Sequence, residues 1–500
     1  VVSRAAGAGS LLVEPGRGRT DPDTAARAQR VDLALAIARQ VVSAAANLLV
    51  VPLVARTLGA EALASWAVLG TASFLLGVAD LGTSVTVQRA AMSGQHGGGA
   101  RAARLSMTVV VSVALALAIA MRSELVLPGV APELARDVRA ATLPVLGAGL
   151  AAALLGPLRG LLLAHGDLRG LASSRVLSAL AQLVLTGAGF LWHRTLVVPA
   201  GALLASQVLE LVLVARAARV VEPALRFAPT ATSWAELRAF VREGAAALVI
   251  NLAVLASIRL DVVILAHTSP LTAVAGYAVA SRAVDQSLSV AKQVSAALAS
   301  RLGRAEERAA AVYTGTGVLG SLAGAGLAAL ALAGQPLLVA WTGEVAREPA
   351  CAVALLVLGA AAVLTAVTEM PAAAVTLADT SAWRAVAPFV AAAVLNVGAS
   401  VLLAPRLGPV GVALGTVIGN GAALAWLWVR ARTLLRWSWA AVARAVAPAV
   451  AACALSAGLV LGVRSSVPEG ATAALLLASL VTGVGTAVGL LVSRALAPAH

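Results

Sequence analysis

From about residue 35 to residue 493 the chain alternates long apolar runs with short polar breaks that hold most of its charge. Each run is close to the roughly 20 residues that a helix needs to cross a bilayer. The pattern predicts about 14 spans, near 35–57, 62–86, 105–122, 141–164, 172–192, 196–216, 243–266, 271–292, 311–341, 352–377, 384–404, 409–430, 441–463 and 471–493. The ninth run is long and contains Gly334 and Pro336, so a tilt, kink or break is expected there. Composition narrows the class further. Five hundred residues could make two or three soluble domains, but 60% hydrophobic and 12% charged residues exclude that in favour of an all-α polytopic membrane protein.

The net charge of +14 raises nucleic acid as a partner, yet the arginines sit in short breaks between apolar runs rather than on one basic face. Topology accounts for them. With the N-terminus in the cytoplasm, about 27 Lys and Arg fall at inner ends and about 8 at outer ends, as the positive-inside rule requires. Both termini are then cytoplasmic. The first 30 residues are polar and Arg-rich without an apolar core, which reads as a cytoplasmic disordered tail and not as a secretory signal. Cys351 and Cys453 stand far apart and lack metal-ligand spacing, so both read as free thiols and no cofactor is implied. Lys292 is the only lysine and is not preceded by a P-loop glycine pattern, which leaves no ATP motor in the chain.

The two halves repeat. Ala55–Val68 aligns without gaps on Ala266–Val279, with Thr57 on Thr268 and Trp66 on Tyr277, and Pro157 with Leu163-Ala164 repeats as Pro371 with Leu377-Ala378. Two six-span units of one orientation imply a pseudo-two-fold axis along the membrane normal, with a path between them. The expected organisation is a tail at 1–30, an N-terminal six-helix lobe at 31–216, a cytoplasmic linker with an amphipathic helix at 217–242, a C-terminal six-helix lobe at 243–432, and two additional helices with a short tail at 433–500.

Within the hairpin from Asn251 to Lys292, Arg259, Asp261, Arg282, Asp285 and Lys292 interrupt the apolar runs. Charges at bilayer depth are costly unless they face a partner or a wet cavity, so this hairpin predicts a lined polar cavity. Arg259 and Asp261, two residues apart, point to different faces of one helix, and at least one must find a partner on another span.

Three stretches resemble the polysaccharide-exporter and O-antigen-flippase branch of the MOP (multidrug/oligosaccharidyl-lipid/polysaccharide) exporter superfamily. They are Pro52–Glu61 followed by Asp80-Leu-Gly82 and Arg89; Arg259-Leu-Asp261 through Leu265 with Gly276-Tyr277; and Asn396 with Leu407-Gly408, Gly411 and Gly415-Thr416. The resemblance implies a secondary flippase carrying an undecaprenyl-diphosphate-linked oligosaccharide across a bacterial inner membrane by alternating access. It implies the lipid-linked oligosaccharide, membrane lipids, a glycan polymerase and glycosyltransferases as partners, and a monomeric chain.

Such a headgroup needs cationic and polar side chains along its path. Arg282 is the foremost candidate because a guanidinium fork matches phosphate oxygens, although Asp285 at i+3 could neutralise it within the helix. Arg259, Arg159, Arg39, Lys292 and Asn251 are the other substrate-binding candidates. Arg56 reads as an interfacial anchor. Glu369, next to the helix break expected at Pro371, is a candidate for a coupling ion, and Asp285, Asp261, Glu210 and Asp80 are further ion ligands or charge partners. Asn396 and Asn420 read first as interhelical hydrogen-bond formers. Alternatives within the superfamily are a cation-coupled multidrug exporter, which favours an acidic cavity, and a lipid II flippase. A membrane-embedded polymerase, ligase or glycosyltransferase is the alternative of another class. Enzymes of that kind usually carry a large outer loop with catalytic groups, and here only Arg122–Arg139 approaches one.

Overall fold

The computed structural model describes residue 46 and residues 48–77, 83–92, 98–121, 131–165, 167–223, 225, 234–303, 305–378, 382–463 and 482–492. Their helices are α1 (Leu48–Leu58), α2 (Ala60–Gly77), α3 (Thr83–Met92), α4 (Gly98–Met121), α5 (Pro132–Ala164), α6 (Leu168–Trp192), α7 (Val197–Val221), α8 (Trp234–Thr268), α9 (Leu271–Gly303), α10 (Ala305–Thr342), α11 (Pro349–Ala378), α12 (Ala382–Leu407), α13 (Pro409–Leu435), α14 (Trp439–Val463) and α15 (Thr482–Val492). No strand occurs among the described residues. Nine of the described helices are long and apolar enough to cross a membrane, and α10, counted as one bent span, makes ten. Leu143, Leu191 and Leu402 are 78%, 81% and 73% exposed; on a soluble protein such positions would be liabilities, whereas here they meet lipid.

The helices alternate in direction. Arg101, Arg104, Arg216, Arg219, Arg308, Arg430, Arg432 and Arg444 lie at one end of the bundle, called the basic end below, and Arg56, Arg136, Arg194 and Arg347 at the far end. Two far-end joints are a single glycine each. Gly59 (φ 87°) links α1 to α2, and Gly408 (φ 54°) links α12 to α13. Both lie in the left-handed region that glycine occupies without strain, and Pro409 starts α13 with its ring already at a helical φ.

Packing repeats between the halves. In the N-lobe α5 packs on α2, α3, α4 and α7, and α6 on α7; in the C-lobe α11 packs on α9, α10 and α13, and α12 on α13. That is the neighbour scheme of two equivalent lobes, with α14 laid on α10 outside them. Glycine makes the closest approaches possible. A methyl group on Gly160 of α5 would come within 2.2 Å of the Ser84 carbonyl of α3, and one on Gly411 of α13 within 2.5 Å of the Leu403 carbonyl of α12. In lipid, where no hydrophobic drive separates helix from tail, such backbone contact supplies the association energy.

The buried apolar side chains show how the lobes meet. One cluster spans both, joining Val54, Leu69 and Leu76 to Val262, Leu265, Tyr277 and Leu355 at the far end. Toward the basic end the clusters are separate: Val87, Leu158, Leu161 and Val214 in the N-lobe, and Val312, Met370, Trp428 and Ala445 in the C-lobe. The lobes therefore share a core at the far end and keep their own cores at the basic end.

Of two local expectations, the first is met and the second comes out differently. The break at Gly334 and Pro336 is present as a 76° bend between Glu306–Leu330 and Gly334–Arg347. The amphipathic stretch expected in the 217–242 linker is instead the opening of α8, which runs unbroken from Trp234 to Thr268. Residues 217–221 likewise continue α7.

Candidate functional site

Asp261 lies two turns from the far end of α8, in a helix whose neighbours supply hydroxyls. The residue is 2% exposed. Its Oδ2 accepts hydrogen bonds from Tyr277 Oη of α9 at 2.7 Å and Thr416 Oγ1 of α13 at 2.9 Å. Its Oδ1 is 3.5 Å from Ser400 Oγ of α12, a hydroxyl that also has the Asn396 side-chain carbonyl at 3.2 Å and the Val412 carbonyl at 3.3 Å within its reach. Asn396 in turn donates from Nδ2 to the Ser257 carbonyl of α8 at 2.7 Å. Asp261, Tyr277, Thr416, Ser400 and Asn396 thus form one hydrogen-bonded cluster of oxygen-bearing groups that also takes in the Val412 carbonyl. An all-oxygen set with a single carboxylate suits a hard monovalent cation, and one ion there would offset the burial of the carboxylate. The glycines of α13 make it possible, since a methyl on Gly415 would stand 2.3 Å from Ser400 Oγ.

Beside this cluster is a cavity of about 220 Å³ enclosed by α8, α9, α11, α12 and α13. Its polar lining includes Asp261, Asp285, Glu369, Thr365 and Asn420, and its apolar lining includes Leu358, Phe389 and Leu427. Among the described residues that line it there are three carboxylates and no guanidinium. Asn420 donates to the Ala361 carbonyl at 3.2 Å and to Thr365 Oγ1 at 3.0 Å, so Asn396 and Asn420 both tie spans together.

The arginines lie on the other side of the α8–α9 hairpin, toward α2 of the N-lobe. Arg259 stacks its guanidinium 4.7 Å from the centre of the Phe74 ring, and its Nη1 is 3.6 Å from Asp285 Oδ2. That separation makes an ion pair but not a hydrogen bond. Arg259 Nε and Asp285 Oδ2 are both buried without a hydrogen-bond partner. Arg282 reaches toward α2, where a methyl on Gly70 would be 3.7 Å from its Nη2. Among the described residues it makes no hydrogen bond or ion pair, and Arg259 and Asp285 are the charges that act on it. The i+3 pair of Arg282 with Asp285 does not form; the carboxylate turns to Arg259 on the neighbouring helix. The result is two guanidiniums and one carboxylate, all at the junction of the lobes.

The other candidates fall elsewhere. Arg159 of α5 is ion-paired with Glu210 of α7, and Glu210 also accepts from Ser178 Oγ of α6 at 3.2 Å, so the two form a cluster within the N-lobe rather than a free cation on the lobe interface. Asn251 is exposed on α8, apart from the Asp261 cluster and the cavity lining. Arg39 and Asp80 lie outside the described residues, as does the side chain of Lys292. Arg56, expected to anchor at the interface, donates instead to the Ala340 carbonyl in the bent segment of α10 and so bridges the lobes. Both cysteines are free thiols. Sequence reasoning passed over Ser400, Phe74 and Arg175, the last a second guanidinium near Arg159 and Glu210, and named Thr416 only within a motif. Ser400 stands at i+4 from Asn396 and Thr416 follows Gly415, so helical spacing could have flagged both, whereas nothing local marks Phe74 as the partner of an arginine on α8.

No family model matches the sequence, and no curated protein does. Solved structures do. The chain is similar to the lipid II flippase MurJ in an inward closed conformation, with a TM-score of 0.70 and 12% identity over 91% of this chain and 98% of that one. It is also similar to an inward-facing multidrug resistance MATE transporter of the MOP superfamily (TM-score 0.59, 20% identity, 80% of this chain and 96% of the other). A eukaryotic MATE transporter gives a TM-score of 0.59 at 15% identity over 85% and 99%.

Proposed function

We propose that this chain, a multi-pass membrane protein with the MOP exporter fold, is a secondary flippase that moves a diphosphate-linked lipid headgroup between leaflets. The observation that carries this reading is the pair Arg259 and Arg282, half-buried at the junction of the lobes with one carboxylate beside them. Burying a guanidinium short of a full partner is costly. A diphosphate offers the missing acceptors in the bidentate geometry that arginine favours.

The division of the core supports a two-lobe cycle. A passage between lobes that share a core at the far end and separate at the basic end receives its headgroup from the basic side. Release on the other side requires the shared cluster and the Arg56 contact to Ala340 to part. The positive-inside rule places the basic end in the cytoplasm, so the direction is outward across a bacterial plasma membrane with both termini inside. The oxygen cluster at Asp261 is the seat of the coupling cation in this scheme. An undecaprenyl-diphosphate-linked oligosaccharide is the substrate, the chain works as a monomer, and the enzymes that build and polymerise the glycan are its partners.

The test is Arg282→Ala, with surface glycan and lipid-linked sugar measured in cells at equal protein level. At least a tenfold fall in export with accumulation of the lipid-linked precursor is expected, on the order of one lost charge-assisted contact; unchanged export sinks the reading. If the precursor that accumulates is the peptidoglycan one, the substrate is lipid II, the molecule that names the neighbour with a TM-score of 0.70. A second reading, export of organic cations, is favoured by the carboxylate-lined C-lobe cavity. It requires Arg282→Ala to leave export untouched while Glu369→Gln sensitises cells to cationic dyes.

A further inference from the structure

In the N-lobe, Arg175 of α6 is left over from the pairing of its neighbours. Among the described residues its guanidinium makes no hydrogen bond or ion pair, and the charges that act on it are Arg159 of α5 and Glu210 of α7. Glu210 is already committed, through Oε1 to Arg159 and through Oε2 to Ser178 Oγ. The cluster therefore holds two guanidiniums and one carboxylate, with one positive charge in excess.

Helical spacing shows which way Arg175 points. At about 100° per residue it shares a face of α6 with Gln182 and Thr186, to within about 20°. The exposed apolar residues Leu177, Leu180, Val184 and Leu191 stand about 140–200° away. Arg175 thus faces into the lobe and not toward lipid tails, and it is nonetheless exposed. Deeper on that face Gln182 is 9% exposed and Thr186 0%. The face is closed at depth and open at the basic end, where the Arg159 side chain is also 35% exposed. A wet mouth is what lets an unpaired guanidinium stand inside a span.

We infer that this mouth is a binding site for a sugar phosphate, in which Arg175 and Arg159 take the phosphate and Gln182 takes a hydroxyl of the sugar. The guanidinium fork of arginine matches phosphate oxygens. Arg159 reaches Glu210 through Nη2 alone, which orients it and leaves its other N–H groups for a ligand. An anion between the two arginines also relieves their mutual repulsion. Gln182 argues for the sugar. Its side-chain amide is nine-tenths buried and makes no hydrogen bond among the described residues, at a position about 10 Å deeper along α6 than Arg175. A buried amide with neither donor nor acceptor used is costly, and a hydroxyl satisfies both. The same chemistry has two sources, a lipid-linked sugar in the adjoining leaflet and a free sugar phosphate. The site is separate from Arg259 and Arg282, so it stands or falls apart from the flippase reading.

The experiment is equilibrium dialysis of the full chain in detergent against radiolabelled glucose 1-phosphate, with inorganic phosphate as competitor and melting curves to show that each variant is folded. Wild type should bind the label and prefer it over inorganic phosphate. Arg175→Gln, at an exposed position, should weaken binding on the order of tenfold, the worth of one charge-assisted contact, and Arg175→Lys should restore part of it. Gln182→Met should hold both probes equally. Arg282→Ala should bind as wild type does, which places the label in the N-lobe and not at the junction. A polyprenyl-linked sugar phosphate in mixed micelles that displaces the label identifies the membrane source, and failure to displace it identifies the soluble one; the site stands in either case. Wild type that takes up no label, a folded Arg175→Gln that binds as wild type does, or an Arg282→Ala that loses the label overturns the inference. A sugar preference that survives in Gln182→Met removes the sugar from it and leaves a bare anion site, which overturns the ligand named here.

Discussion

The two lobes solve the same problem in opposite ways. On α5, α6 and α7 of the N-lobe, Arg159, Ser178 and Glu210 meet at depth and satisfy one another: the carboxylate receives a guanidinium and a hydroxyl. In the C-lobe the fully buried carboxylate, Asp261 of α8, is held by hydroxyls alone among the described residues. Beside it Glu369, Ala372, Phe389, Asn420 and Ala423 line open space. One scaffold thus carries a carboxylate paired with a guanidinium on one side and a carboxylate held by hydroxyls beside a cavity on the other. The lesson is that a duplicated fold can hold its membrane-depth carboxylates in two ways, by a guanidinium in one lobe and by hydroxyls in the other.

Breaking the guanidinium-paired side should have the largest effect. Glu210→Ala removes the acceptor of both Arg159 and Ser178 and leaves a guanidinium inside the N-lobe. Removal of one member of a buried pair costs about 3–5 kcal/mol, and the lower end applies because the Arg159 side chain is 35% exposed. Detergent-solubilised protein should lose several degrees of thermal stability, and Arg159→Met with Glu210→Leu should recover most of it. Asp261→Asn, which removes a charge that has no cationic partner, should cost far less. Equal losses for Glu210→Ala and Asp261→Asn would erase the contrast between the lobes.

A smaller effect is expected where the C-lobe is held at its closest approach. Gly415→Ala forces a methyl to within 2.3 Å of Ser400 Oγ and 2.9 Å of the Asn396 carbonyl oxygen. Overpacking of this kind costs about 1–3 kcal/mol, and it also pushes Ser400 off Asp261. On the same helix Gly421 has nothing within 4 Å of a new methyl group, so Gly421→Ala should be neutral or stabilise by up to about 1 kcal/mol. Melting curves of the two variants separate helix propensity from contact.

Much of this was legible beforehand, for reasons that can be named. Apolar runs of span length gave the helices, whereas the single-residue joints at Gly59 and Gly408 came only with the positive φ of the structure. The spacing of Arg259 and Asp261 put them on different faces and required a partner on another span for at least one, and both have one. What the sequence could not supply was which span each polar face meets. Asp285 stands at i+3 from Arg282 and still pairs with Arg259, because the rotation of α9 against α8 is set by packing and not by local spacing. Arg56 takes a carbonyl 284 residues away, a partner that no periodicity encodes. The opening of α8 looked like a surface helix because amphipathicity reports an interface without saying whether the helix continues into the bilayer.

The finest comparison is between single hydroxyls. Tyr277→Phe and Ser178→Ala each remove one donor from a buried carboxylate, Asp261 in the first case and Glu210 in the second. Glu210 keeps the Arg159 guanidinium, so loss of the serine should cost about 0.5–1 kcal/mol, the usual net worth of one hydrogen bond. Asp261 keeps only the Thr416 and Ser400 hydroxyls, and loss of the 2.7 Å tyrosine bond should cost about 1.5–3 kcal/mol, the range for bonds to a charged group. Added sodium should narrow that difference, since a cation at Asp261 replaces what the tyrosine gave, while leaving Ser178→Ala where it was. Thermal melts of both variants with and without sodium measure this directly. If sodium shifts neither variant, or both equally, then Asp261 is neutralised by its neighbours as fully as Glu210 is, and the lobes differ in shape alone.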